Sequence, residues 1–346
     1  MRRKNVFVRL FSCLAAISLF SNGTCAVAND KKYSLNEVLS LYGFASEEQQ
    51  SAFKLICEKA GIDLPENFGA TEMLKLVEDT QKNLVNRADK QERWETTTLD
   101  WMAANQTTLK ENFNTLDFVN EVLPMEKNFD AVGILGASMK AMHDRIKFVE
   151  SLIERGYKFK KVVLLTGERY ATTNVDCSAE KLEEVAQFFG IESKKVTETH
   201  LFKYLYENSS LNGKFDLVVI DTPQRDGRRP TTQTTVEDFC AWNTAHPEVE
   251  SMVFISGQPH VLYQKAIIAE VLARKDSVLK FEVIGNATEA KTTKVYAGAM
   301  GSYIWANTPS CLRNFGLTVE SDEDIAVAQR LYGKLPWIYA GVPLKR

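Results

Sequence analysis

Five times between Phe129 and Thr288 the chain repeats one pattern: a short apolar run, a polar tip, then a helix-forming stretch. The runs read "FDAVGILGAS", "KKVVLLTGER", "FDLVVIDTPQ", "SMVFISGQPH" and "KFEVIGNAT". A strand with one wet face alternates apolar and polar residues. These runs are nearly continuous instead, so both of their faces must be covered. The stretches between them, such as "MKAMHDRIKFVESLIERG" and "VLYQKAIIAEVLARK", carry the apolar spacing of helices. Parallel strands need crossovers of about that length, and helical crossovers cover the sheet. The pattern predicts an α/β fold over residues 128–308: an open, mainly parallel sheet with helices on both faces.

Upstream, the period changes. "SLNEVLSLYG" opens at Ser34 with Glu37 three residues on, a capping box. "SEEQQSAFKLICEKAG" sets Phe53, Ile56, Cys57 and Ala60 on one face and stops at Gly61. Residues 29–127 are predicted to be all-helical. Residues 309–346 form a C-terminal extension with one helical piece, "DEDIAVAQRLYG".

The first 28 residues are of another kind. "MRRKNVFVR" holds four basic residues and no acid, "LFSCLAAISLF" is apolar, and an Ala-x-Ala ends at Ala28. That order predicts a cleaved secretory signal peptide over 1–28 and a periplasmic or secreted protein; the alternative is an uncleaved membrane anchor. Cleavage takes the formal net charge from −3 to −7. So acidic a chain is a poor binder of nucleic acid, and no later stretch is apolar enough to form a stable membrane span. Cys57, Cys177, Cys240 and Cys311 remain, as two disulfides or as four buried thiols.

In an open parallel sheet, ligands sit outside the carboxyl ends of the strands. The candidate residues are therefore those at the tips. The first tip offers Gly136 and Ser138 at a helix start, an anion seat or a plain capped turn. The second offers Gly167, Glu168 and Arg169, a ligand clamp or a local ion pair. The third offers Asp221 and Arg225, with Arg228 and Arg229 behind them. These arginines are forked donors for phosphate or carboxylate, or a solvated loop. Thr235 and Glu237 follow at a helix start. The fourth tip offers Ser256, Gln258 and His260, whose imidazole titrates near neutrality and suits acid/base work, or simply begins a helix. Neither a metal-ligand spacing nor a G-x-S-x-G elbow is present, and no motif names a cofactor.

In their order, the "LLTGER" turn, the "TTVED" helix start and the "ISGQPHVLYQKA" segment resemble the SanA/YdcF-like family of bacterial envelope proteins, over about residues 128–288. The resemblance implies a Rossmann-like domain with a polar pocket at the strand tips. It carries over to Gly167, Glu168, Thr235, Glu237, Ser256 and His260. The sequence departs from the family at Thr234 and Asp238, where asparagines are usual, and at Tyr263, where an arginine is usual. Arg225, Arg228 and Arg229 are the expected substitutes for that missing charge, with Arg225 the one to test. Two functions remain open. One is an envelope protein binding a small phosphate- or nucleotide-like anionic ligand at the tips, with Glu168, Glu237 and His260 as acid/base residues. The other is a non-catalytic periplasmic binding or assembly protein that meets a protein partner through residues 33–127.

Overall fold

The computed structural model describes residues 31–87, 91, 95–288, 292–333 and 342–344. The expected signal peptide lies outside the described residues. The described chain opens with a two-residue antiparallel ribbon, β1 (Tyr33–Ser34) with β2 (Asn67–Phe68). Such a ribbon is too short to leave a sequence pattern. Around it stand α1 (Leu35–Leu41), α2 (Glu47–Lys59) and α3 (Ala70–Thr80), followed by α4 (Asp100–Ala104) and α5 (Gln106–Thr115). The capping box at Ser34 and Glu37 is formed, and a second one opens α2 at Ser46 and Gln49.

The α/β domain follows the predicted alternation. In chain order it runs β3 (Asn128–Leu135), α6 (Met139–Glu154), β4 (Lys158–Gly167), α7 (Ala179–Phe189), α8 (Glu198–Glu207), β5 (Asp216–Thr222), α9 (Thr232–Thr244), β6 (Ser251–Gly257), α10 (Val261–Arg274) and β7 (Lys280–Asn286). The five strands are parallel, in the order β5-β4-β3-β6-β7. The chain works outward from β3 in one direction, then returns and works outward in the other. That order is Rossmann-like, and its reversal between β3 and β6 is the topological switch point.

Successive side chains of each strand serve different cores, as the pleat requires. Val132, Ile134, Val253 and Ile255 face α6, α7 and α8. Ala131, Leu135, Met252 and Phe254 face α9, α10 and the long helix α11 (Thr293–Phe315). Residues 33–118 join this second core rather than forming one of their own. Phe113 stacks on Tyr296, Tyr33 stacks on Phe315, and the Tyr303 hydroxyl donates to Tyr42 O. These helices bury apolar faces against α11. The boundary expected at residue 308 falls inside α11, where Thr308 and Pro309 are both buried. The C-terminal piece α12 (Asp322–Tyr332) packs on α3, with Thr71 donating to Asp324. All four cysteines in the described residues are free thiols, three of them buried.

Candidate functional site

The site grows from the turn after β3. Ile134 lies opposite Ile255, so the parallel register brings Gly136 level with Gly257 at the tip of β6. On the other flank, Gly136 N–H donates to Leu165 O of β4. A side chain on Gly136 would collide: its Cβ would lie 2.1 Å from Glu198 Oε1. Glycine is needed here because a carboxylate presses on the backbone.

That carboxylate belongs to an ion cluster at the tip of β4. Arg169 Nε and Nη2 donate to Glu198 Oε2 at 3.1 and 3.0 Å. Arg169 Nη1 and Nη2 donate to the two Asp176 oxygens at 2.8 and 2.7 Å, a forked pair. The Asp176 side chain is 2% exposed. Burial opposes the charge of Arg169, but Asp176 and Glu198 outweigh it and hold the guanidinium firmly protonated. Glu198 behaves the other way: burial pushes its carboxyl above the usual range despite Arg169 and a hydrogen bond from Thr166. Thr199 extends the network to Asp221, donating at 2.6 Å.

The cluster also ties down the loop between β4 and α7. Asp176 accepts from Thr172 N–H, and its carbonyl accepts from Met139 N–H at the start of α6. Ser138 is the N-cap, but its side chain caps nothing. The N–H groups of Lys140 and Ala141 have no acceptor among the described residues. Over this helix start opens a pocket of about 510 Å³, lined by Ala137, Ser138, Arg169, Asp176, Glu198 and Arg229, with Asn174 and Val175 at the loop. Its polar groups belong to β3, β4, α8 and the basic loop after β5, which meet at the carboxyl edge.

Beneath the Gly136 turn lies Arg145, from α6, 4% exposed. Its Nη1 donates to Leu135 O at 2.5 Å and Gly136 O at 2.9 Å. Its Nε is buried without a partner, and it forms no ion pair among the described residues. Desolvation pulls its pKa down to about 10, against the distant pull of Glu198 and Asp144. The signal was present in the sequence: Arg145 lies on the stripe of Met142, Ile146, Val149 and Leu152, where α6 faces the core. Asp176 and Glu198 left no such mark. Glu198 looks like any first-turn acid, and the α8 that carries it was not foreseen.

Of the expected site residues, Ser138 and Arg169 line the pocket, and Gly136 packs against the Glu198 carboxylate beside it. Ser256 is fully buried at the tip of β6. The others are dispersed. Glu168 is exposed; its carboxylate accepts from Gln224 N–H, and Gly167 packs against Pro230. Thr235 bonds back to Thr231 O. Gln258 Nε2 donates to Asp117 O and Asn120 O, tying β6 to the helical region. Glu237 accepts from Gln233 and Arg274, and Arg225 pairs with both Glu237 and Asp238.

The expected acid/base trio therefore does not converge. His260 begins α10 and Arg274 ends it, fourteen residues or about 21 Å away. Glu237 is held at the Arg274 end. Glu168 and His260 follow strands on either side of β3, about 10 Å apart by strand spacing. Arg225 does not stand in for the arginine absent at Tyr263, because two carboxylates of α9 already occupy it. Among the described residues, no cluster of three metal-ligating side chains occurs, and no helix is long and apolar enough to cross a membrane.

Fold and site define a Rossmann-like α/β domain with a charged pocket beside its switch point. No protein-family model matches the chain, and no curated protein matches it.

Proposed function

We propose that this chain is an exported SanA/YdcF-like protein whose Rossmann-like domain binds a small phosphate- or nucleotide-like ligand at the carboxyl edge of the sheet. The supporting observation is the placement of the 510 Å³ pocket: over the start of α6, beside the β3–β6 switch point, with charged groups from the β4–α7 loop, α8 and the β5–α9 loop around it. That volume suits a small molecule. The positive end of the α6 dipole and the Lys140 and Ala141 N–H groups favour an anion there. Arg229 brings a cationic side chain to the wall, and Arg169 is bonded to Asp176 and Glu198. Glu198, with its raised carboxyl, is the pocket group best suited to exchange a proton with a ligand.

Thermal shift against nucleotides, phosphosugars, adenosyl-methionine and inorganic phosphate tests this reading. A ligand that binds the folded state raises Tm with concentration. The rise should shrink in Arg229→Ala and in Ser138→Pro, which remove the cation and crowd the helix start. A flat response across the panel would count against the reading. Export is tested separately, by the mass of the protein recovered from the envelope: a chain beginning after Ala28 supports it, and an intact N-terminus in the cytoplasm contradicts it.

A further inference from the structure

We propose that the recess between α10 and the turn at residues 42–44 is a second binding site, which takes a small molecule carrying a primary ammonium group on an apolar body. The recess holds about 300 Å³, at the lower end of the range for small-molecule sites. It lies on the α10 and α11 side of the sheet, whereas the pocket over α6 is built from the α6 and α8 side, and the two share no residue.

The floor of the recess is aromatic: Tyr42, Phe44 and Tyr303 line it, and all three are buried. One wall is a stripe of α10, Leu262, Lys265, Ala266 and Ala269. Residues spaced i, i+3, i+4 and i+7 share one helix face. Ala266 and Ala269 are partly exposed, and their small side chains leave the space open. An apolar body laid between this wall and the rings would lose water from both of its sides.

The charge at the recess comes from Asp117, in the turn after α5. Its backbone is left-handed, with φ 62°, a conformation that aspartate and asparagine adopt more readily than most residues. The turn is tied on both sides: Asp117 N–H donates to Asn114 O, and Asp117 O accepts from Gln258 Nε2 at 2.8 Å. The carboxylate, by contrast, accepts one hydrogen bond, from the neutral Gln49 Nε2 at 3.1 Å. Partial burial pushes its carboxyl above the ordinary range, and no cation among the described residues pulls it back. A primary ammonium supplies that counter-charge with donors for the carboxylate oxygens, and aromatic rings nearby attract a cation as well. Lys265 lines the same recess without pairing with Asp117, and it is the group that would receive a carboxylate on the same ligand.

The test is calorimetric titration of the full-length chain with isopentylamine and phenethylamine, with the matching alcohols, and with leucine and phenylalanine. Wild type should bind at least one of the amines or amino acids, about tenfold or more tightly than the alcohol of the same body. Asp117→Asn suits the left-handed turn, keeps an acceptor for Gln49 and removes only the charge. Its Tm without ligand should match wild type, while affinity for the bound amine or amino acid should fall about tenfold or more. Ala269→Leu retains a good helix former and fills the recess, so binding should be lost. An amino acid that binds more tightly than its amine, with the gain lost in Lys265→Met, supports the proposal with a zwitterion as ligand. An amine that binds as tightly as its amino acid or more so supports it with a simple cation. Absence of binding by every amine and amino acid, an alcohol that binds equally well, or undiminished binding in Asp117→Asn overturns it.

Discussion

Arg169 and Arg145 sit on one sheet edge, on either side of the Gly136 turn, and both are largely shielded from water. Arg169 meets two carboxylates through four hydrogen bonds and adds a long fifth to Ala137 O. Arg145 meets two carbonyls and leaves Nε without an acceptor. The first is a structural tie: it holds Asp176 and Glu198, and through Asp176 the loop over α6. The second is a cation buried beneath the turn with no counter-charge bonded to it. How firmly a buried cation is tied is thus set by what surrounds it, not by its place near a strand tip. By position alone, Arg169 was the obvious anion holder.

The contrast can be broken by measurement. Arg169→Met should cost the most, about 3–5 kcal/mol in urea denaturation, because two buried carboxylates lose their counter-charge. Arg145→Met should change stability by less than about 2 kcal/mol. It loses its bonds to Leu135 O and Gly136 O, but it also removes an unpaired buried charge, and the two effects oppose each other. Equal losses in the two variants would remove the distinction.

A third site calibrates the pair. Asp130 accepts from Lys160 and from Ser251 Oγ and N–H, joining β3 to β6 at the opposite end of the sheet. Burial would raise its pKa, but these partners lower it overall. An unfolded aspartate protonates near pH 3.9, so Asp130 contributes fully above that value. The contribution is lost as pH falls through its lower folded value. Asp130→Asn should cost about 1 kcal/mol near neutrality and flatten the acid limb of Tm against pH. An unchanged acid limb would show that the link is idle. The smallest effect is expected for Arg225→Ala, about 0–1 kcal/mol for a half-exposed pair, with any anion response intact. Loss of that response would return Arg225 to the site.

Much of the fold was legible because β3 through β7 are buried on both faces, which leaves apolar runs that few other structures require. The helix start at Ser34 was legible for a local reason, since a capping box is written within four residues. The site was legible only to the level of the sheet edge. Gly136, Ser138 and Arg169 were placed at this edge because strand tips are where the fold puts them. Asp176 and Glu198 were missed because their partner is Arg169, made adjacent by the fold and not by spacing along the chain. Glu237 and Thr235 misled for the reverse reason. A helix start near a strand tip attracts attention, while the direction of a side chain one turn later is decided by packing with α10.

The shared core of the N-terminal helices and α11 also orders events in time. Tyr33 finds its acceptor at Phe315 O, 282 residues later, and Tyr42 finds Thr308 after 266. During synthesis, α1 to α5 emerge first, yet the surface that completes their burial is made almost last. For most of the chain's translation these helices keep apolar faces exposed. A nascent chain stalled before residue 293 should remain protease-sensitive in its first hundred residues, and release of α11 should close it in one step.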